Sequence, residues 1–265
     1  MSLKTEVNMQ QAPKVSIITV VYNGVTHLEQ TIQSVLKQTY KNIEYIIIDG
    51  GSTDGTVELI KKYDENIDFW ISEKDSGIYD AMNKGIAKAT GDVVGLINAD
   101  DWYELDTVQN IVEAFTTSDV DVVHGAMQIV NDNGSGFLKK VNKSLDNLKK
   151  GMLLNHPTVF AKRALYDQYG LFDTSYNIVA DWEMMIRWKT SAVKFIGIEK
   201  NLANFRMGGV SSEHLIASFK EKHTVRKAYD LYTYIDMYYV YDRFKSIFPT
   251  TVLIEVSLFR QKMEI

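Results

Sequence analysis

Apolar residues along this chain gather into short runs that stop at Gly, Asn or Asp, and those runs alternate with helical spacings. Residues 15–21 are a β-branched run that closes on Tyr22-Asn23-Gly24, the pattern of a buried strand and then a turn. Leu28, Ile32, Val35 and Leu36 recur at helical spacing, which predicts a helix over 26–38. A second buried strand, 45–49, ends in Asp49. The turn Gly50-Gly51-Ser52-Thr53-Asp54-Gly55 follows, with Ser, Thr and Asp as cap candidates, and then a helix over 56–63. A short strand is predicted at 69–72 and a turn at 75–77. A helix over 78–89 is closed by Gly91. The run Val93-Val94-Gly95-Leu96-Ile97 then ends abruptly in Asn98-Ala99-Asp100-Asp101.

Strand and helix alternate through the first hundred or so residues, which implies βαβ units and a parallel sheet. Right-handed crossovers place the strand ends on one rim. Asn23, Asp49, Asp75 and Asp100 all follow predicted strands and are expected to meet there. Open α/β sheets bind ligands at that edge. Hard oxygen donors suit Mg²⁺ or Mn²⁺, and a divalent ion suits a diphosphate.

Beyond Asp101 the alternation loosens. A helix is predicted over 105–115, a strand over 120–124, and a hairpin turn over 131–136. Residues 139–150 carry five lysines and read as a solvated face. A strand at 158–160, a helix at 162–169 and a loop at 170–173 follow. Asp181 opens a helix over 182–190, and 193–198 reads as a final strand. Residues 207–212 form a Gly-containing loop. From 213 onward the chain reads as mostly helical, with Tyr229, Tyr232, Tyr234, Tyr238, Tyr239 and Tyr241 clustered. No repeat or linker interrupts the chain, so one continuous domain with a C-terminal helical extension is the simplest organisation.

Composition narrows the class without choosing the chemistry. The chain has 265 residues, 45% hydrophobic and 24% charged, ordinary for a globular protein with a sizeable core. A net charge of -5 gives no support to nucleic-acid binding. Cysteine is absent, so disulfides and thiolate metal sites are excluded. Residues 1–13 are polar, without the apolar core of a signal peptide, and are expected to be a disordered tail or a cloning remnant. No apolar run approaches the roughly 20 residues of a membrane span. The expectation is a cytoplasmic protein, with peripheral contact at the inner face of a membrane left open.

Four stretches together carry a family resemblance: Ser16-Ile17-Ile18-Thr19-Val20-Val21-Tyr22-Asn23; Ile48-Asp49-Gly50-Gly51-Ser52-Thr53-Asp54-Gly55-Thr56; Asp75-Ser76-Gly77-Ile78-Tyr79-Asp80-Ala81-Met82-Asn83-Lys84-Gly85; and Asn98-Ala99-Asp100-Asp101. In this order and spacing the chain resembles family 2 glycosyltransferases, over about residues 15–212. The resemblance implies an α/β GT-A fold: a Rossmann-like, mainly parallel sheet flanked by helices, with a nucleotide-binding half over 14–124 and an acceptor half over 125–212. Residues 213–265 form the helical extension. It further implies an inverting transfer from a nucleotide-sugar donor, UDP-linked by first choice and dTDP- or GDP-linked otherwise, to a saccharide or lipid-linked saccharide hydroxyl. The sub-type is similar to bacterial polysaccharide and lipopolysaccharide enzymes.

By that resemblance Thr19, Val21, Tyr22 and Asn23 hold the nucleoside, with Tyr22 near the base. Asp49 and Gly50 lie at the base-reading turn. There Asp54 is the better helix cap, which leaves Asp49 to accept the uracil imide. Asp75, Asp80 and Asn83 line the donor pocket. Met82 stands where many relatives carry Arg, so Lys74 or Lys84 is the substitute phosphate contact, although Lys84 could equally be a solvated helix face. Asn98-Ala99-Asp100 occupies the Asp-x-Asp position, with Asn98 in place of a carboxylate and Asp100 as the ligand of Mg²⁺ or Mn²⁺. Asp101 is expected to support the loop or a metal-bound water. Asp181 is the expected general base, with helix capping as its alternative role and Glu183 as the runner-up base. His156 is expected to border donor sugar and acceptor, or else to be structural. Arg206 belongs to a segment that resembles a loop closing over the diphosphate. The tyrosine-rich extension suits a membrane surface or a homodimer contact. A sugar-nucleotidyltransferase is disfavoured by the absence of an early Gly-rich phosphate loop. A nucleotide-sugar-binding protein without catalysis is the alternative that Asn98 and Met82 motivate.

Overall fold

A computed structural model describes residues 12–131, 134–207 and 215–231. The first half alternates β1 (Val15–Val21), α1 (Val25–Leu36), β2 (Ile43–Asp49), α2 (Thr56–Lys62), β3 (Phe69–Ser72), α3 (Ile78–Lys88) and β4 (Val93–Asn98). Their order in the sheet is β3-β2-β1-β4, all parallel. Parallel strands buried on both faces need apolar residues at every position. In β1, Val15, Ile17 and Val21 pack with Leu28, Ile32 and Val35 of α1, whereas Ile18 and Val20 pack with Tyr79, Met82 and Ile86 of α3.

The second half contributes β5 (Trp102–Tyr103), α4 (Thr107–Thr117), β6 (Val122–Val130), β7 (Gly136–Lys139), β8 (Phe160–Lys162), α5 (Ala164–Tyr169), α6 (Ala180–Thr190), β9 (Phe195–Arg206) and α7 (Leu215–Ala228). The sheet continues from β4 through β8, β6 and β9 to β5, with β7 paired to β6. β8 is antiparallel to both β4 and β6, so the direction changes there. Gly95 allows it: the ring of Phe160 lies across β4 where any side chain at 95 would collide.

Several boundaries differ from the sequence reading. The strand expected at 120–124 is the start of β6, which runs on to Val130 and forms the hairpin with β7. The strand expected at 193–198 continues to Arg206, because β6 supplies a parallel partner along its whole length and β5 pairs on its other edge. Thr158, expected to open a strand, instead closes a 3₁₀ turn over 156–158 before β8. Lys139 ends β7 and leaves the solvated lysine face to its neighbours. α7 follows β9 and is packed into the domain: Val225 and Arg226 are buried. The expected loop tip at 208–212 and the tyrosines beyond 231 lie outside the described residues, as do residues 1–11. Among the described residues, no helix is long and apolar enough to cross a membrane.

Candidate active site

The strand ends do form one rim. Val21 is in register with Asp49, Asp49 with Ser72, and Val20 with Asn98. Two turns lock together there: the Asn23 side-chain oxygen accepts from the Thr53 N–H at 2.9 Å, and the Asn23 N–H donates to Ser52 Oγ at 2.7 Å. Asn23 sits at φ 49°, a left-handed conformation that Asn tolerates. Asp54 caps from the same turn, accepting from Thr56 N at 3.1 Å and from Val25 N at 3.1 Å. Tyr22 is 66% exposed beside this turn, unusual for so large a ring. Gly50 lies beneath it, and the Asp75 carboxylate fills the space a side chain at 50 would need. Tyr22, Gly50 and Asp75 therefore form one patch.

Next along the rim, β4 delivers Asn98 and Asp100. The side-chain oxygen of Asn98 is buried and has no hydrogen-bond partner among the described residues. The loop after it is fixed by the Thr31 hydroxyl, bonded to the Ala99 and Asp101 carbonyls at 2.8 and 2.6 Å. Asp101 is fully buried and accepts from the Arg206 N–H at 3.1 Å. Burial, reinforced by the charge of Asp100, pushes its carboxyl well above the usual range. Arg206 stacks on Trp102 at 5.2 Å and donates to Gln30 at 3.0 Å.

Asp181 stands in the first turn of α6, behind this rim. Its Oδ1 accepts from its own helix, at Trp182 N (2.8 Å), and from the Tyr79 hydroxyl of α3 (3.1 Å). The same hydroxyl lies 2.8 Å from the Ile178 carbonyl. Burial, then the charge of Asp181, pushes the Tyr79 phenol far up, so it stays a donor. No hydrogen bond to Asp181 Oδ2 occurs among the described residues. Phe172 packs against Tyr79 at 5.4 Å and edge-on to His156 at 6.2 Å. Burial holds His156 below its ordinary pKa, opposed by Asp181, and Lys139 is lowered in the same way by burial against Asp181. The arrangement is a carboxylate with one oxygen anchored and one available, walled by aromatic rings and two desolvated bases.

The profile described as Glycosyl transferase family 2 matches residues 16–176. The chain belongs to glycosyl transferase family 2. It is 34% identical over 185 residues to an uncharacterized glycosyltransferase of Mycobacterium tuberculosis, covering 68% of this chain and 70% of the relative. It is 31% identical over 184 residues to a PGL/p-HBAD biosynthesis glycosyltransferase of Mycobacterium bovis, covering 66% and 70%. Among solved structures, S. aureus TarS 1-349 in complex with UDP-GlcNAc aligns with a TM-score of 0.65 at 18% identity, over 80% of this chain and 66% of that one. This chain spans only 38% of the longer TarS structure. The mannosyltransferase PcManGT from Pyrobaculum calidifontis, in complex with GDP-Man and Mn²⁺, aligns with a TM-score of 0.65 at 18% identity, over 86% and 67%. At such identities these neighbours establish the shared GT-A fold.

Within this family 2 glycosyltransferase, several residues expected at the donor are engaged elsewhere. Thr19 is buried and bonded to the Tyr45 hydroxyl at 3.1 Å, on the α1 side of the sheet. Val21 is buried, and its carbonyl accepts from Gly50 N at 2.9 Å. Asp49 is not left free by Asp54. It is fully buried and accepts from Gly51 N, Ser52 N and Ser72 Oγ at 3.1, 3.0 and 2.6 Å, shaping the turn instead of facing the rim. Asn83 grips the Phe172 backbone. Asp80 accepts from Ser76 N at 2.9 Å at the start of α3. Lys84 is tied to Glu73 at 2.9 Å and to the Lys74 carbonyl at 3.1 Å, whereas Lys74 is exposed and makes no ion pair among the described residues.

On the acceptor side, Glu183, the runner-up base, has both carboxylate oxygens engaged. It is buried, paired with Arg187 at 3.0 Å, and bonded by the Tyr229 hydroxyl. Asp181 is not the helix cap, since that position is Val179. Arg206 lies on β9, paired with Val130, and not on a loop. The residues missed from sequence are Tyr79, Phe172 and Lys139. Tyr79 lay inside a quoted motif. Lys139 carried no signal, because one lysine among five gives no sign of being half-buried near Asp181.

Proposed function

We propose that this glycosyltransferase moves a sugar from a nucleoside-diphosphate donor to a hydroxyl of a saccharide or lipid-linked saccharide, with inversion at the anomeric carbon. The observation that carries the reading is Asp181. Its Oδ1 is anchored by Tyr79 and by the helix, and its Oδ2 remains available to take a proton. In the transfer the acceptor oxygen bonds to the anomeric carbon and the bond from that carbon to the diphosphate oxygen breaks. The electron pair leaves with the nucleoside diphosphate, and the hydroxyl proton passes to Asp181. Opposed faces for base and leaving group are what inversion requires.

The donor lies along the rim in this reading. Tyr22 stacks on the base, and the Asp75 carboxylate takes the imide-accepting role first given to Asp49, which favours a uracil base. UDP-GlcNAc and GDP-Man complexes of structural neighbours are consistent with a nucleotide sugar but leave the base open. Lys74, an exposed cation whose backbone abuts Gly51 of the turn, serves a phosphate. Asn98 and Asp100 offer one amide and one carboxylate oxygen. No group of three or more His, Cys, Asp or Glu placed to hold a metal ion occurs among the described residues. That set fits Mg²⁺ or Mn²⁺ arriving with the diphosphate, since Mg²⁺ sites commonly combine one or two carboxylates with phosphate and water. Such an ion, when bound, would neutralise charge on the departing diphosphate.

Turnover of UDP-sugars with Mg²⁺ or Mn²⁺, in wild type and Asp181→Asn, tests the reading. Loss of about 100-fold or more in kcat with UDP affinity retained is expected of a lost general base. Full activity in Asp181→Asn would remove Asp181 from the mechanism. UDP binding with no sugar ever transferred to acceptor or water would favour a binding protein without catalysis.

A further inference from the structure

The loop that leads into α6 is held by a residue from the C-terminal segment. The Glu221 carboxylate of α7 accepts from the N–H groups of Asn177, Ile178 and Val179 at 2.9, 2.9 and 3.2 Å. Val179 is the N-cap of α6, and no side chain of the helix's own sequence caps it. The N–H groups at a helix start have no intrahelical acceptors, and a carboxylate there is favoured by the helix dipole. Glu221 of α7 therefore satisfies the N-cap N–H and the two N–H groups that lead into it, and places a negative charge at the start of α6. Asp181 follows two residues later, and the middle residue of the gripped segment, Ile178, is the one whose carbonyl meets the Tyr79 hydroxyl. The segment is thus fixed from both sides: by Glu221 through its N–H groups, and by Tyr79 through its carbonyl.

The rest of α7 reinforces the attachment. Arg226 lies over the Trp182 ring at 5.6 Å and donates to the Lys150 carbonyl at 3.1 Å. Just past the helix, the Tyr229 hydroxyl bonds Glu183. Trp182 and Glu183 are the two residues after Asp181. Contacts from the extension thus bracket Asp181 along the chain, and none of them touches the rim that would hold the donor.

We propose that Glu221 is a positioning residue for the catalytic carboxylate: by holding the N–H groups of residues 177–179 it sets the place of Asp181, without touching substrate. This rests on the reading of Asp181 as the base. Because Glu221 bonds only the backbone of residues 177–179 and no residue proposed to hold the donor, its loss should appear in kcat and not in nucleotide affinity.

The test uses the full chain, with Glu221→Ala, Glu221→Gln and Asp181→Asn measured side by side for kcat, donor and acceptor KM, UDP affinity and thermal midpoint. Misplacing a catalytic group by an ångström can cost about 100-fold, so Glu221→Ala is expected to lose about 10-fold or more in kcat while UDP Kd stays within about twofold. Glu221→Gln keeps an acceptor oxygen for the same N–H groups and should recover part of that loss. If Glu221→Ala does not fold, Glu221→Gln carries the test with an expected kcat loss of several-fold at unchanged UDP Kd. The proposal is overturned alone if Asp181→Asn is inactive while the folded Glu221 variants keep kcat within twofold of wild type. It is also overturned if UDP affinity falls by the same factor as kcat, the mark of a general loss of fold. Full activity in Asp181→Asn would instead defeat the base assignment, and this proposal with it.

Discussion

The carboxamide of Asn83 holds the backbone of Phe172 from both sides, donating to its carbonyl at 2.9 Å and accepting from its N–H at 3.0 Å. Asn83 lies on α3, which starts at the donor rim, and Phe172 lies on the loop that walls Asp181. A single amide so joins the two halves, because a primary amide presents a donor and an acceptor in the spacing of a peptide. Replacing Asn83 with Ala leaves a part-buried N–H and carbonyl without partners. The expected cost is about 1–3 kcal/mol, read as a lower urea midpoint, with Asn83→Asp intermediate because it still accepts. An unchanged midpoint in Asn83→Ala would refute this account of the loop.

The orphan oxygen of Asn98 makes a gain-of-function test available. Asn98→Asp restores a second carboxylate at the rim, and Asp100→Ala removes the first. UDP titrations with and without Mn²⁺ should show tighter metal-dependent binding in Asn98→Asp and weaker binding in Asp100→Ala. Each change should be about 10-fold, the scale of one charge-assisted contact. Equal UDP affinity with Mn²⁺ in wild type and Asp100→Ala would remove the metal role from Asp100.

Asp75 is expected to read the base through the patch it shares with Tyr22 and Gly50. Asp75→Ala should weaken UDP by about 10-fold, the value of a hydrogen bond to a charged group, while leaving GDP affinity almost unchanged. Equal losses for both nucleotides would assign Asp75 to turn structure instead.

His124 offers a prediction about stability and pH, independent of catalysis. It is 1% exposed, and neither ring nitrogen has a partner among the described residues. Burial brings its pKa down from 6.5 to about 4. The unfolded chain therefore takes up the proton first as pH falls. The contribution of neutral His124 is complete above about pH 6.5 and is lost progressively down to about pH 4. His124→Leu should raise stability by about 1 kcal/mol at pH 7, since an unpartnered buried polar group is removed, and by more at pH 5. Urea midpoints that shift equally with pH in both proteins would contradict the assigned titration.

The sequence by itself determined the parallel half of the sheet, the rim and the family. β1, β2 and β4 are marked by apolar runs long enough to be buried on both faces, and each ends in a polar turn at the rim. Asp100 and Asp181 stood out as candidates in the sequence because their motifs are local. Tertiary structure alone decided which rim side chains face outward. Asp49, Thr19 and Asn83 are polar residues inside the right motifs, but each meets a partner distant in sequence: Ser72, Tyr45 and Phe172 respectively. Burial of a polar group depends on whether such a partner arrives, and one-dimensional periodicity carries no record of that. The same reason hid Lys139 in a lysine-rich run and let Glu221, forty residues downstream, hold the segment that leads into the helix carrying Asp181.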